Sequence, residues 1–187
     1  MRQMENKGKI LILSGPSGVG KGTVVRHLLT LDENVAVSIS ATTRGKREGE
    51  EHGVHYFYIT REEFEDNIKN DRMLEYTQYN GNYYGTLKSH VRDLQEKGKM
   101  VILEIEVDGA MQVKAKLPDA ITVFMTAPSQ EEAEKRLRGR NTECEEVIKK
   151  RLEIAKGEMA RAKEYDFVVC NDTVENAANR ILDILKD

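Results

Sequence analysis

The chain has 187 residues, a third of them charged, with a formal net charge of −3, sparse aromatics and no tryptophan. That length supports one domain with its own core, and the slightly acidic balance gives no electrostatic footprint for long nucleic acid or anionic lipid. Its longest apolar runs, such as Ile10–Leu13, are too short to span a bilayer, Met1–Lys9 lacks the apolar stretch of a secretory leader, and Cys144 and Cys170 stand in no metal-ligand spacing, so a cytoplasmic protein with reduced thiols is expected.

Lys9–Ser14 is a short, continuous apolar run, as expected of a strand buried on both faces. It feeds Gly15-Pro16-Ser17-Gly18-Val19-Gly20-Lys21, after which Gly22–Leu31 reads as a helix. A strand, a glycine-rich turn and a helix with lysine at this spacing form the context of a Walker A phosphate loop. Polyphosphate needs several backbone N–H groups converging on it, which a glycine-permissive loop supplies. The helix N-terminus adds a favourable dipole, and Lys21 can reach the β- and γ-phosphates of a nucleoside triphosphate. Gly22 occupies the place where Ser or Thr normally holds Mg²⁺, and Thr23 comes one residue late, about 100° around the helix. Thr23 is therefore expected to touch phosphate, or to reach the metal through water.

Val35–Ala41 reads as a second strand, Thr42–Gly53 as a polar, basic loop and Val54–Ile59 as a strand. Thr60-Arg61-Glu62-Glu63 has capping-box spacing and should open a helix of about two turns. Met73–Tyr79, Asn80-Gly81 and Asn82–Gly85 read as a hairpin. A helix from about Thr86 to Lys97 should stop at Gly98. Met100–Val107 and Ala120–Thr126 are the next buried strands. In Leu103-Glu104-Ile105-Glu106-Val107-Asp108 the acids alternate, which on a strand places them on one side; the C-terminal edge of a parallel sheet is where ligands bind. An edge strand with a wet face would give the same pattern. Ser129 with Glu132 opens another helix, Arg140–Thr142 interrupts it, and Thr142-x-x-Glu145 opens a longer one. Asp166–Cys170 is the last strand, and an amphipathic helix from Thr173 closes the chain.

Strands separated by helices predict a parallel sheet covered on both faces. The expected fold is α/β, a three-layer P-loop kinase with a central parallel sheet, an inserted mixed or antiparallel subdomain and a helical lid. The single domain 1–187 would divide into a core of about 1–41, 86–129 and 157–187, an insertion of about 42–85 and a lid of about 130–156.

The insertion carries the candidate acceptor site. Arg44 and Arg47, three apart beside a strand end, are followed by Tyr56, Glu75, Tyr83, Tyr84 and Thr86. Arginine forks and tyrosine hydroxyls suit a phosphate monoester, and a carboxylate beside hydroxyls suits a base with two adjacent N–H donors. Basic pairs also occur in solvated loops, and hairpin tyrosines also serve as packing. In the lid, Arg136 and Arg140 lie one helical turn apart, with Arg138 between them and Arg151 on the next helix. In-line phosphoryl transfer needs positive charge on the moving group, although such runs also form solvated helix faces. His27, His52, His55 and His90 form no triad or metal set.

Taken together, GPSGVGKGT, SATTRGKREGE, LEYTQYNGNYYGT, LEIEVDGA and RLRGRNTECEEVIKKRL closely resemble the guanylate kinase family, and the similarity covers essentially the whole chain. The resemblance implies Mg²⁺-dependent transfer of the ATP γ-phosphoryl group to GMP by a monomer or homodimer, with these small molecules as partners and neither nucleic acid nor membrane. By the same resemblance, Gly15–Thr23 and Asn171 would bind ATP, and Arg44, Arg47, Glu50, Tyr56 and Tyr84 would surround the GMP phosphate. Ser40, Glu75 and Thr86 would face the guanine. Lys21, Arg44, Arg136, Arg140 and Arg151 would carry catalysis. Glu104 and Glu106, where the family commonly has aspartate, would serve the Mg²⁺ water shell and the acceptor nucleoside. Asn171 followed by Asp172 is equally suited to capping the last helix. A kinase for another small phosphate ester, such as a sugar phosphate, would not need Glu75 together with Ser40 and Thr86. A non-catalytic interaction domain of this type would not need an intact Lys21.

Overall fold

The computed structural model describes residues 8–139 and 145–187. The break expected at Arg140–Thr142 and the helix start expected at Thr142 lie outside the described residues. In chain order the elements are β1 (Ile10–Ser14), α1 (Lys21–Leu31), β2 (Val35–Val37), β3 (Ala41–Thr42), β4 (Phe57–Tyr58), α2 (Arg61–Lys69), β5 (Met73–Tyr79), β6 (Asn82–Leu87), α3 (Lys88–Glu96), β7 (Met100–Glu104), α4 (Val107–Lys116), β8 (Ile121–Thr126), α5 (Gln130–Arg138), α6 (Glu145–Met159), β9 (Phe167–Cys170) and α7 (Val174–Lys186).

Period-two alternation in the apolar strands divides the core. The five-stranded sheet runs β2-β7-β1-β8-β9, every pairing parallel. Leu11, Leu13, Ile102, Val123 and Met125 bury one face against Val24, Val25 and Leu28 of α1 and Ala177, Ala178, Ile181 and Leu185 of α7. Ile10, Ile12, Val101, Leu103 and Phe124 bury the other against Val91 of α3 and Val107, Ala110 and Val113 of α4. These are the three layers expected of strands alternating with helices. A second sheet, ordered β4-β3-β6-β5, mixes a parallel β3–β4 pair with antiparallel pairs, and Ala41, Phe64 and Met73 form its own small core. Asn80 and Gly81, both at positive φ, make the tight β5–β6 turn.

Four expectations need correction. The strand expected over Val35–Ala41 is two strands in different sheets. Ser38 N–H still donates to Ile102 O at 2.9 Å, whereas Ser40 O already accepts from Phe57 N. The strand expected over Val54–Ile59 shrinks to Phe57–Tyr58, the residues in register with Ala41 and Thr42 of β3. Thr86 belongs to β6, where it pairs across the ladder with Glu75, so α3 starts only at Lys88. β7 ends at Glu104, and α4, for which no helix was expected, begins at Val107. The apolar run continues through Ile105 and Val107 because α4 buries its inner side against the same sheet face. Asp108 in its first turn, Lys114 and Lys116 in its last and Pro118 just beyond were the overlooked signals. Glu106 is consequently the residue before a helix, and the one-sided projection of Glu104 and Glu106 from a strand does not hold.

The second sheet docks on α4. The Tyr76 N–H donates to Gln112 Oε1 and Gln112 Nε2 to Tyr76 O, both at 3.4 Å, and Lys116 Nζ donates to Met73 O at 2.9 Å. On its far side, α2 is opened by Thr60, whose Oγ1 accepts from Glu63 N–H at 3.1 Å while Glu63 Oε2 accepts from Thr60 N–H at 3.0 Å. Thr60→Ala should lower the unfolding free energy by about 1 kcal/mol in urea titration; an unchanged midpoint would show that α2 does not depend on this reciprocal cap.

Candidate active site

The donor cradle starts where β1 runs out of partners. Gly18 and Gly20, at φ 86° and 91°, take the left-handed backbone conformations with which a glycine-rich loop can turn successive N–H groups toward an anion. Side chains would not fit: a Cβ on Gly18 would stand 2.6 Å from Ala133 O, and one on Gly20 2.7 Å from Asn171 Nδ2. Pro16 is buried, Ser17 half-buried, and Lys21 Nζ folds back to donate to Gly15 O across the loop. Val19 is held by Asn171, whose Nδ2 donates to Val19 O at 2.7 Å. Asn171 is 3% exposed, and its Oδ1 is buried without a partner. The helix-capping alternative falls to Thr173, whose Oγ1 accepts from Asn176 N–H at 3.2 Å.

Gly20, Thr23, Arg136, Asn171, Asp172, Thr173 and Val174 line a cavity of about 310 Å³ beside this cradle. Arg136 closes one wall. Its Nη atoms donate to Asn171 O at 3.3 Å and to Val19 O at 3.4 Å, and its Nε to Glu132 Oε1 at 3.0 Å. In this conformation Arg136 stands with the donor pocket. Arg138 instead pairs with Glu134 and Glu145, and Arg140 lies outside the described residues. Arg151 is half-buried on α6.

On the acceptor side, Arg44 forms a fork–fork pair with Glu50: Nη2 to Oε1 at 2.8 Å and Nη1 to Oε2 at 2.9 Å. Glu50 Oε2 also accepts the Arg47 N–H at 2.8 Å, and the Arg47 residue itself is exposed. Hydrogen bonding from Arg44, then from the Arg47 amide, holds the Glu50 carboxyl down at about 2. The Arg44 guanidinium lies over Tyr56, 5.5 Å from its ring centroid, and Tyr84 meets Tyr56 edge-on at 6.1 Å. Tyr83 is stacked on Phe64 at 5.0 Å and stays in the small core. His52 and His55 brace the loop, their Nδ1 atoms accepting from Tyr58 N–H and Glu51 N–H.

The base-reading candidates meet next door. Glu75 and Thr86, 4% and 1% exposed, are cross-strand partners, and Thr86 Oγ1 donates to Glu75 Oε1 at 2.6 Å. Burial raises the Glu75 carboxyl above its ordinary range, opposed by Thr86. Its other oxygen faces Gly109, where a Cβ would come within 2.9 Å, so glycine there leaves room for the carboxylate. Ser40 is half-buried at the end of the crossing between the sheets.

Glu104 stands across from the helix start: a Cβ on Gly22 would lie 3.6 Å from Glu104 Oε1. Glycine in place of Ser or Thr thus removes a hydroxyl where a carboxylate already stands. Thr23 is exposed, its Oγ1 accepting from Arg26 Nη2 at 3.2 Å. Among the described residues no three His, Cys, Asp or Glu side chains are grouped to hold a metal ion. Single oxygen donors beside a phosphate cradle fit Mg²⁺ carried on nucleotide phosphates with most of its waters retained.

Sequence reading passed over Gly109, Tyr58 and Glu158. The last, half-buried in the final turn of α6, interacts with Lys21, Glu106, Asp108 and Arg161. Asp108 is itself held by Arg161 at 2.5 Å. No local motif marks Glu158, because the groups around it come from α1, the β7–α4 turn, the first turn of α4 and the segment after α6.

A family model described as Guanylate kinase matches residues 7–187. Guanylate kinases of Streptococcus pyogenes serotypes M3 and M18 are each 51% identical to the chain over 184 residues, 98% of this chain and 87% of theirs. A crystal structure of guanylate kinase from Anaplasma phagocytophilum aligns with a TM-score of 0.75 at 34% identity, over 96% of this chain and 85% of that one. Shikimate kinase from Bacteroides thetaiotaomicron, at 14% identity and a TM-score of 0.51, covers 96% of this chain and 99% of its own and shares the fold alone.

Burial first, and then repulsion from Glu106, push the Glu158 carboxyl up to about 7, against the opposing pull of Lys21. Between the ordinary carboxylate range and about pH 7 the folded chain therefore keeps a proton that the unfolded chain gives up. This contribution to stability is present in full below about 4.5 and is lost as pH rises through about 7. Melting curves of Glu158→Gln without nucleotide should match those of the parent chain near pH 4.5 and lie above them at pH 8. Parallel curves across that range would contradict the assignment.

Proposed function

The chain belongs to the guanylate kinase family, nucleoside monophosphate kinases whose reaction is ATP-dependent phosphorylation of GMP to GDP, and we propose that it joins the two nucleotides between the amide cradle at Gly15–Lys21 and the pocket formed by Arg44, Glu50, Glu75 and Thr86. The observation that carries this reading is the buried Glu75–Thr86 pair beside Gly109, one helical turn from the Glu104–Glu106 segment that borders the cradle. Guanine presents N1–H and N2–H along one edge, and a carboxylate accepts both; adenine presents an acceptor at N1 instead. A buried carboxylate left unpaired by the wrong base discriminates by orders of magnitude.

Loop amides of Gly15–Gly20, the first turn of α1 and Thr23 hold the ATP polyphosphate, and Lys21 exchanges its Gly15 carbonyl for phosphate oxygens. Asn171 and Arg136 line the cavity for the donor base. Arg44, oriented by Glu50, holds the GMP phosphate together with Arg47, Tyr56 and Tyr84, while Glu75, Thr86 and Ser40 read the guanine. A GMP phosphate oxygen forms the new O–P bond as the bond from the γ-phosphorus to the β–γ bridging oxygen breaks, and that electron pair leaves with ADP. A phosphate monoester with a second pKa of about 6 is already largely dianionic at neutral pH, so the step needs no strong protein base. Positioning and charge neutralisation carry it, with Arg136, Arg140 and Arg151 adding positive charge around the transferred group. Thr23, Glu104 and Glu106 would help hold a Mg²⁺ ion brought in with the nucleotide, which would supply charge neutralisation on the transferring phosphates. Segments of about 42–85 and 130–156 close over the site and exclude water that would otherwise hydrolyse ATP. The reaction takes place in the cytoplasm, on small-molecule substrates, by a monomer or homodimer.

A coupled assay of ADP formation across AMP, GMP, CMP, UMP and dTMP should show turnover with GMP far above the others, and Lys21→Ala should abolish nearly all of it in a folded protein. Equal rates across the five acceptors would remove guanine reading. Glu75→Gln replaces one guanine acceptor with a competing donor. It should raise the KM for GMP by about ten- to a hundredfold while leaving that for ATP within about twofold; equal rises for both nucleotides would take the role from Glu75.

A further inference from the structure

Tyr58 stands in the acceptor-phosphate pocket without a role in the reading above. On β4 it follows Tyr56 by two residues, so both rings project to the same side of the strand, while Phe57 packs against the small core of the second sheet. The Arg44 guanidinium lies 5.8 Å from the Tyr58 ring centroid and 5.5 Å from that of Tyr56, and the two rings meet edge-on at 5.9 Å. The Tyr58 N–H is tied to His52 Nδ1 at 3.2 Å, and its hydroxyl oxygen is buried without a partner at full hydrogen-bond geometry. Buried hydroxyls rarely go unused.

Glu50 has capacity for that hydroxyl. A carboxylate offers about four acceptor sites; Arg44 fills two, at 2.8 and 2.9 Å, and the Arg47 amide a third, at 2.8 Å. We infer that Tyr58 is a positioning residue: its hydroxyl donates to the remaining acceptor site of Glu50 and so fixes the carboxylate that aims Arg44 into the acceptor-phosphate pocket. The influence of Tyr58 on Glu50, which adds to the stronger holds of Arg44 and the Arg47 amide, agrees with this geometry, as does the upward push on the Tyr58 hydroxyl, first from burial and then from Glu50. Tyr58 carries one further consequence for the loop, since its ring remains as a floor under the guanidinium even without the hydroxyl.

The inference rests on the reading that Arg44 holds the GMP phosphate, and a double-mutant cycle separates the two. KM values for GMP and ATP are measured on the parent chain, Tyr58→Phe, Glu50→Ala and the double variant. Tyr58→Phe should raise the KM for GMP about tenfold, the value of one hydrogen bond to a charged group, and leave that for ATP unchanged. In the Glu50→Ala background the same change should add less than about twofold, because the group it acts through is gone. An unchanged GMP KM in Tyr58→Phe overturns the inference, as does an equal rise for both nucleotides. A tenfold rise that persists in Glu50→Ala also overturns it, because it places the hydroxyl on the phosphate itself. If the parent chain does not phosphorylate GMP, the assigned reaction fails; if it does and Tyr58→Phe is indistinguishable from it, the inference alone fails.

Discussion

The turn from β7 into α4 is pinned to β1 by two hydrogen bonds, and both of the proposed nucleotide pockets border it. Ser14 Oγ, at the last residue before the phosphate loop, donates to Ile105 O at 2.9 Å, and Ile105 N–H donates to Leu13 O at 3.2 Å. These bonds tie the turn to the strand that launches the cradle, with Glu104 facing Gly22. Five residues on, Gly109 abuts the buried Glu75 carboxylate. A single helical turn therefore sets the separation between the glycine-rich loop and the buried Glu75–Thr86 pair. Near-attack geometry tolerates displacements well under an ångström, so a short, doubly anchored segment suits this place better than a loop.

The two pockets use different materials. On the proposed reading the donor side is chiefly main chain: loop amides and a helix N-terminus would recognise a polyphosphate common to all triphosphates, while Asn171 and Arg136 brace the loop by holding the Val19 carbonyl. The acceptor side is chiefly side chain, with an arginine locked in a fork by Glu50, tyrosines against its guanidinium and a buried acid paired with a threonine. Recognition of one base among several needs directional groups whose loss or mismatch is costly, and only side chains supply that variety. These side chains stand on a small sheet docked to α4, apart from the five-stranded core.

Much of the molecule was legible from local pattern. The phosphate loop was readable because its glycines, its lysine and the flanking strand and helix form one contiguous segment. β1, β8, β9, the β5–β6 hairpin and the capped starts of α2, α5 and α7 followed from short-range periodicity and capping residues. The misreadings fell where a single apolar run serves two elements. Val35–Ala41 leaves one sheet for another at Ile39, and Ile105 and Val107 continue the hydrophobic pattern of β7 after the strand has ended.

Sequence by itself determined the donor chemistry, the layered core and the residue types of the acceptor site, because each is written in neighbouring positions obeying helix or strand periods. Tertiary structure alone decided that Asn171 holds Val19 across 152 positions, that Ser14 pins Ile105 across 91, that Gly109 makes room for Glu75 and that Glu158 feels charges from distant segments. Those contacts join segments with no shared period or motif. They depend on the sheet order β2-β7-β1-β8-β9, which brings strand ends distant in the chain together, and on the docking of the second sheet against α4.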